Sequence, residues 1–443
     1  MRSPKSKTIA LALTGLLALT SAGCSMVSPV AQESASAAAI PSELTEPVTV
    51  TFWERYCDDG VKQAVERFNE IHKGKITVDS VCVGGGESNL ASKIQAAAAG
   101  GGLPDVATAS EQYVTQYRKA DLLVPLDPYI ESSKWGIGTP EKDDFLPASL
   151  ARTSLPAYGG QTLTWPFGNT ANALYVNMDL LNKAGVTKAP TTWDEFAAAA
   201  SAIKTKTGMA GWAAGPGDGP DLLNAVWSSG VPWVSEDGTK AQLDSPETVS
   251  VLTQWKDLFA AGHAEVSSNY KSMFTSGNAG MVFASTGYTT TWAKDLGKTE
   301  WDIAMFPHGK GQEPLTEMFG SVTEMFRSTP EKQLASWLFM KYLASAENQA
   351  AMCPVEGCLP ATKSSTDSGE IAKAAQAVPQ FGAAITEIAP HARLLPQSPA
   401  LSEVRGKIAG DILDQVLAGT LTPEQASRQL QAKAQQAIDR NNG

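Results

Sequence analysis

Five cysteines are the residues in this 443-residue chain whose type and spacing most directly announce chemistry. Cys24 follows a basic start (Arg2, Lys5, Lys7), an apolar run over 9–19 and the small residues Thr20-Ser21-Ala22-Gly23. That order is a secretory signal, too short to stay as a membrane span. A cysteine directly after the small residues is the acceptor pattern of a bacterial lipoprotein, with Ser21 standing where Leu, Val or Ile is usual. Residues 1–23 are thus expected to be a lipoprotein signal peptide. The remainder would work outside the cytoplasm, held to the cell membrane only by a lipid on Cys24.

The other four, Cys57, Cys82, Cys353 and Cys358, are an even set in an exported chain, which implies two disulfides with three possible connectivities. The pairing 57–82 and 353–358 is preferred. Pro354 and Gly357 can turn the short loop between the last two, and the first two would tie the loop after one strand to a second strand. Four-sulfur metal binding is the alternative. The four histidines lie scattered, none at ligand spacing to these cysteines, so neither metal nor other cofactor is expected.

The elements that must position such groups follow from periodicity. Residues 25–47 are rich in Ala, Ser, Pro and Gln without an apolar period, so 24–47 is expected to be a flexible linker. Residues 48–53 alternate as a strand, 61–72 carry apolar residues at helical spacing, and 76–83 form a second strand closed by Gly84-Gly85-Gly86. An Ala-rich helix over 89–99 and a short strand over 103–107 complete an α/β pattern with a largely parallel sheet. Ligands in such sheets sit at the carboxyl ends of strands, which puts 53–56, 84–88 and Ser110-Glu111 on one rim. The pattern restarts with a strand over 173–177. Thr192 and Glu195 form a capping box, Ser245-Pro246-Glu247 opens a helix, and 279–284 and 301–306 read as strands. Helices dominate beyond, the last opened by Thr422-Pro423-Glu424.

Composition narrows the function. Roughly 400 residues beyond the linker exceed what one core usually holds, so two lobes are expected. Hydrophobic content is 43%, charged content 18%, and the net charge of −11 argues against nucleic acid, whose binding needs clustered Lys and Arg. No second apolar run reaches the roughly 18 residues of a membrane span.

Several segments, taken in order, resemble the extracellular solute-binding proteins of ABC importers, the group that carries sugars and glycerol phosphates. They are the Thr51-Phe52-Trp53 strand end, Arg67-Phe68-Asn69, Gly102-Leu103-Pro104-Asp105-Val106, Pro166-Phe167-Gly168 followed by Leu174-Tyr175-Val176-Asn177-Met178-Asp179, Thr191 to Phe196, Gly280 to Phe283, and 339–348. The resemblance covers nearly everything after residue 47. It implies a periplasmic-binding-protein-like α/β fold: two α/β lobes, 48–167 plus 304–344 and 168–303 plus 345–443, hinged around a ligand cleft. It implies a monomer that binds a small solute and docks on ABC permease subunits. The ATPase would be separate, since this chain has no Gly-rich Lys-Ser/Thr phosphate loop.

A carbohydrate, mono- to oligosaccharide, is the expected ligand. Eleven Trp and nine Tyr supply ring-stacking faces, and carboxylates, amides and Arg would bond hydroxyls. The resemblance points to Glu111 after the Pro104-Asp105 strand, Tyr288 after Ser285-Thr286-Gly287, Asn169 and Thr170 on the lobe-crossing segment, and Arg405. Trp292 lies one turn beyond Tyr288. Trp212 precedes the loop Gly215 to Pro220, suited to a cleft edge, and Arg55 reaches the rim beyond Trp53. Arg405 resembles the phosphate-binding Arg of the glycerol-3-phosphate branch, so glycerol-3-phosphate or a glycerophosphodiester is the alternative ligand. That branch has Tyr where this chain has Cys82, Gly86 and Cys358, which favours the sugar. An extracellular glycoside hydrolase ranks third. It needs two carboxylates about 5–10 Å apart across the scissile bond, and no recognisable catalytic context surrounds the 46 Asp and Glu. The chain is not expected to be an enzyme.

Overall fold

The computed structural model describes residues 40–155 and 158–442, which fold as one compact unit. The signal segment and Cys24 lie outside the described residues. Ten strands occur among the described residues: β1 (Val48–Glu54), β2 (Ile76–Cys82), β3 (Val106–Ala109), β4 (Thr164–Asn177), β5 (Ala210–Ala214), β6 (Ala264–Val266), β7 (Ala279–Ser285), β8 (Trp301–Ala304), β9 (Thr316–Met325) and β10 (Ala392–Arg393). The main path runs β2-β1-β3-β9-β4-β7-β5-β6, with β10 on β9 and β8 on β4. Helices cover both faces, the α/β architecture expected.

The sheet is mixed rather than largely parallel. Parallel pairing is confined to β2-β1-β3 and β7-β5-β6 at the ends, plus β10 on β9. Between them β3-β9, β9-β4 and β4-β7 are all antiparallel. The difference arises from β9, which the sequence reading missed altogether. It is buried on both faces, one carrying Glu317 and the other Glu324, and carboxylates break the apolar run by which an interior strand is recognised.

Strand alternation builds a core on each side of the sheet. In β1, Val50 and Phe52 pack with Phe68, Trp165 and Phe339, while Trp53 points to the other face with Tyr117 and Tyr158. β4 connects this region with a second. Residues 164–171 pair with β9, and 172–177 pair with β7 and β8. Accordingly Trp165 and Phe167 share the core of β1, whereas Leu174 and Val176 pack with Phe196, Trp212, Trp255 and Phe283.

Two boundaries differ from expectation. Residues 40–47, assigned to the linker, are pinned: Ile40 and Leu44 pack on the β1 core, and Trp135 Nε1 donates to the Pro41 carbonyl at 2.9 Å. Met352, Cys353, Ile371 and Phe381, placed with the second lobe, belong to the β1 core because helix Ala346–Glu356 lies against helix Asp59–Ile71.

The local signals for helix starts hold well. Asp58 caps Asp59–Ile71 by accepting the Val61 N–H at 3.3 Å. Thr192 accepts the Glu195 N–H at 3.3 Å, and the Glu195 carboxylate accepts from the Thr191 N–H at 2.8 Å, which lowers its pKa. Both disulfides, Cys57–Cys82 and Cys353–Cys358, are formed.

Candidate functional site

A cavity of about 560 Å³ opens beside the paired segments of β4 and β9, at Phe167, Gly168, Thr170, Phe319 and Gly320. One side comes from the turn after β1. Glu54, buried at 4% exposure, accepts the N–H groups of Tyr56 and Cys57 at 2.6 and 2.9 Å. This holds Cys57 at φ 58°, a conformation uncommon outside glycine, and the disulfide to Cys82 fixes the turn to β2. Arg55, Tyr56 and Asp58 are thereby presented to the cavity. Arg55 pairs with Glu87 at 3.0 Å and donates to Ser321 Oγ, and the Tyr56 hydroxyl donates to the same oxygen at 2.7 Å. The Tyr56 ring stacks on Phe167 at 5.7 Å.

The opposite side comes from the elements after β5, β6 and β7. Asp218 caps helix Gly219–Ser228, accepting the Asp221 N–H at 3.3 Å, and Asp221 Oδ1 accepts from Asn172 at 2.6 Å. Burial pushes both carboxyls up, Asp221 further because Asp218 lies beside it. Tyr270 and Lys271 open the helix after β6, and Lys271 Nζ donates to the Tyr288 hydroxyl at 2.9 Å. Tyr288 stands on the turn after β7, where Thr286 is anchored by accepting the Ala171 N–H at 3.0 Å.

Two glycines make close backbone approaches possible here. Gly320 has φ 127°, and a Cβ there would meet the Gly168 carbonyl at 2.2 Å. Gly357 has φ 70°, and its Cβ would meet the Gly287 carbonyl at 2.5 Å. The latter contact sets Glu356 at the cavity wall beside Asp58. Burial, and then Asp58, push the Glu356 carboxyl up to about 9.

A second compartment, about 360 Å³, shares Glu87, Pro220, Phe319, Gly320 and Arg405 with the first. Glu111 and Glu317 line it. Arg405 Nη1 lies 2.5 Å from Glu317 Oε1 and belongs to the π-helical turn Val404–Ile408, an irregularity that recurs at functional sites. Among the described residues one group has the spacing of metal ligands, Glu54 with Cys57 and Cys82. Its sulfurs are bonded to each other and offer no thiolate.

The structure brings Arg55, Thr170, Tyr288 and Arg405 to the main cavity and Glu111 to the second compartment. Glu111 already pairs with the guanidinium of Arg152, which is 1% exposed. Three expected residues lie elsewhere. Trp212, placed at a cleft edge, sits within β5 and is 1% exposed, packed among Phe196, Trp255, Phe259 and Phe283. Trp292 is 4% exposed and lies behind Tyr288. The Asn169 side chain is spent on Arg152 and Ser149, at 3.0 and 2.7 Å, and faces away from the main cavity. Sequence reasoning missed Asp218, Asp221, Tyr270, Lys271 and Glu356. The flagged loop Gly215 to Pro220 pointed toward the two aspartates; Lys271 and Glu356 carry no local signal.

Comparison with known proteins agrees with this architecture. Residues 63–380 match the family model of the bacterial extracellular solute-binding proteins, and the chain belongs to that family. A binding protein of Brucella abortus (strain 2308) is 23% identical over 343 residues, covering 74% of this chain and 78% of its own length. The cyclic alpha-maltosyl-1,6-maltose binding protein from Arthrobacter globiformis superposes with a TM-score of 0.76 at 20% identity, over 90% of this chain and all of the other. UgpB from Mycobacterium tuberculosis, in complex with glycerophosphocholine, superposes with a TM-score of 0.79 at 18% identity, over 89% of this chain and all of the other. Proteins of this family bind solutes outside the cytoplasm rather than transform them. Among the described residues, no helix is long and apolar enough to cross a membrane.

Proposed function

We propose that this protein captures a carbohydrate and delivers it to an ABC permease. The observation that carries the reading is the make-up of the main cavity. Tyr56, Phe167, Tyr270 and Tyr288 supply aromatic surface, and carboxyls outnumber cations there, with Asp58, Glu87, Asp218, Asp221 and Glu356 against Arg55, Lys271 and Arg405. Two of those cations are already paired, Arg55 with Glu87 and Arg405 with Glu317. Such a wall of carboxyls and phenols exchanges hydrogen bonds with hydroxyls, and two of its three cations are already engaged by carboxylates rather than free for a phosphate. The Arthrobacter neighbour, a cyclic alpha-maltosyl-1,6-maltose binding protein, supports the same reading.

On this reading the cavity lies between two lobes that close around β4 and β9 as hinge segments, with residues 345–383 moving with the β1 lobe. The mature protein is a monomer held to the membrane by a lipid on Cys24, and it binds without turnover.

Arg405 favours a second reading, glycerol-3-phosphate or a glycerophosphodiester, and the UgpB neighbour holds a ligand of that class. A thermal-shift screen against sugars, glycerol-3-phosphate and glycerophosphocholine separates the two, since a ligand that binds only the folded state raises Tm. The carbohydrate reading expects stabilisation by a sugar that is recovered chemically unchanged. Stabilisation by the phosphates alone, lost in Arg405→Ala, would overturn it.

A further inference from the structure

We propose that the ligand is an oligosaccharide of at least two sugar units, the second lodged in the compartment beyond the Arg405–Glu317 pair. This rests on the carbohydrate reading and extends it from ligand class to ligand length.

Three observations carry it. The two compartments share five wall residues, so a ligand in the main cavity has a neighbouring space to extend into. Each compartment alone, at about 560 and 360 Å³, falls in the range of roughly 300–1,000 Å³ typical of small-molecule sites. The strongest is Glu317 itself. Its side chain is 4% exposed, Oε1 is engaged by Arg405, and Oε2 is buried with no hydrogen-bond partner. A buried acceptor left without a donor is costly, and structures rarely keep one without reason. Arg405 bonds Oε1 alone, through Nη1. Glu317 lines the second compartment, so a ligand hydroxyl there would supply the donor once the carboxylate turns toward it.

The chemistry of the wall selects the kind of extension. Glu87, Glu111 and Glu317 face this space together with Ser110 and Ser402, against the one lining cation Arg405, which Glu317 already holds. Each of these carboxylates is paired with an Arg, and the lone pairs that remain suit hydroxyl donors. The Arg405 guanidinium, shared by both compartments, is placed to donate to the oxygens near a glycosidic link.

The test is calorimetric titration of the purified protein with matched mono-, di- and trisaccharides, taken from whichever sugar series stabilises it in the thermal screen. We expect a di- or trisaccharide to bind at least tenfold more tightly than its constituent monosaccharide. Ser402→Trp, which fills the second compartment, should bring the longer ligand down to the monosaccharide's affinity, and Glu317→Gln should weaken it about tenfold. Gly406→Phe is the companion variant should Ser402→Trp fold poorly, because a Cβ at Gly406 meets no atom within 4 Å. Equal affinity for monosaccharide and oligomers, or indifference of the longer ligand to both filling variants, would overturn the inference while leaving the carbohydrate reading intact. Stabilisation by no sugar at all would overturn both.

Discussion

The ring of Tyr288 stacks on that of Trp292, with centroids 4.9 Å apart and planes 25° from parallel. Trp292 in turn meets Tyr175 edge-on at 4.6 Å. The cavity tyrosine is therefore backed by buried aromatic packing that limits its motion. Tyr288→Ala should reduce ligand affinity tenfold or more in calorimetry, with little loss of stability because the ring is partly exposed. Trp292→Ala should instead lower unfolding free energy by about 3–5 kcal/mol, the range for emptying an aromatic core position. Equal effects of the two variants on stability would show that Tyr288 is a core residue.

Arg152 should be a stability residue. It is 1% exposed and donates to Asn169 Oδ1 at 3.0 Å, to the Gly320 carbonyl at 2.8 Å and to Glu111. Removing one partner of a buried pair leaves the rest unsatisfied, so Arg152→Ala should cost about 3–5 kcal/mol in denaturant unfolding. Arg152→Lys should recover little of this, since one ammonium cannot reproduce the planar fork.

The two disulfides should differ in accessibility. Cys57 and Cys82 are exposed, whereas Cys353 and Cys358 are 0% and 5% exposed. Mild reduction followed by alkylation and mass spectrometry should label the first pair alone. Cys57→Ser with Cys82→Ser should lower stability by about 3.5 kcal/mol, the chain-entropy value for a loop of this length. It should also weaken ligand binding, because the freed turn carries Arg55, Tyr56 and Asp58.

Glu356 sets a pH dependence. Its folded pKa is raised to about 9 by burial and by Asp58, from an ordinary carboxyl value of 4.5. The folded state thus keeps a proton that the unfolded chain releases, and stability falls as pH rises through the window from about 4.5 to about 9. Tm should decline from pH 5 to pH 8.5, and Glu356→Gln should flatten that decline. A variant with the wild-type slope would assign the effect to other buried acids, Glu324 first among them, since burial raises its pKa well above the ordinary range.

What the sequence determined was local. Alternation and helical spacing placed β1, β2 and the helix Asp59–Ile71, because each depends on residues within a dozen positions of one another. Capping chemistry at Thr192 and Ser245 marked helix starts for the same reason. The cysteine count and compartment pointed to the disulfide pairs that form. An ordered set of weak motifs indicated the family.

Tertiary structure decided the rest. β9 was invisible to a hydrophobic pattern because it buries acids, and it is the strand that pairs with β4 at the cavity wall. Trp212 lies beside a loop in the chain but inside a core in space, since β5 is buried on both faces. Lys271 reaches Tyr288, and Glu356 reaches Asp58, only because β6, β7 and the Gly357 turn bring those segments together. Local sequence sets the propensity of a segment. Which side chains share a cavity depends on contacts between distant segments, and no spacing along the chain encodes them.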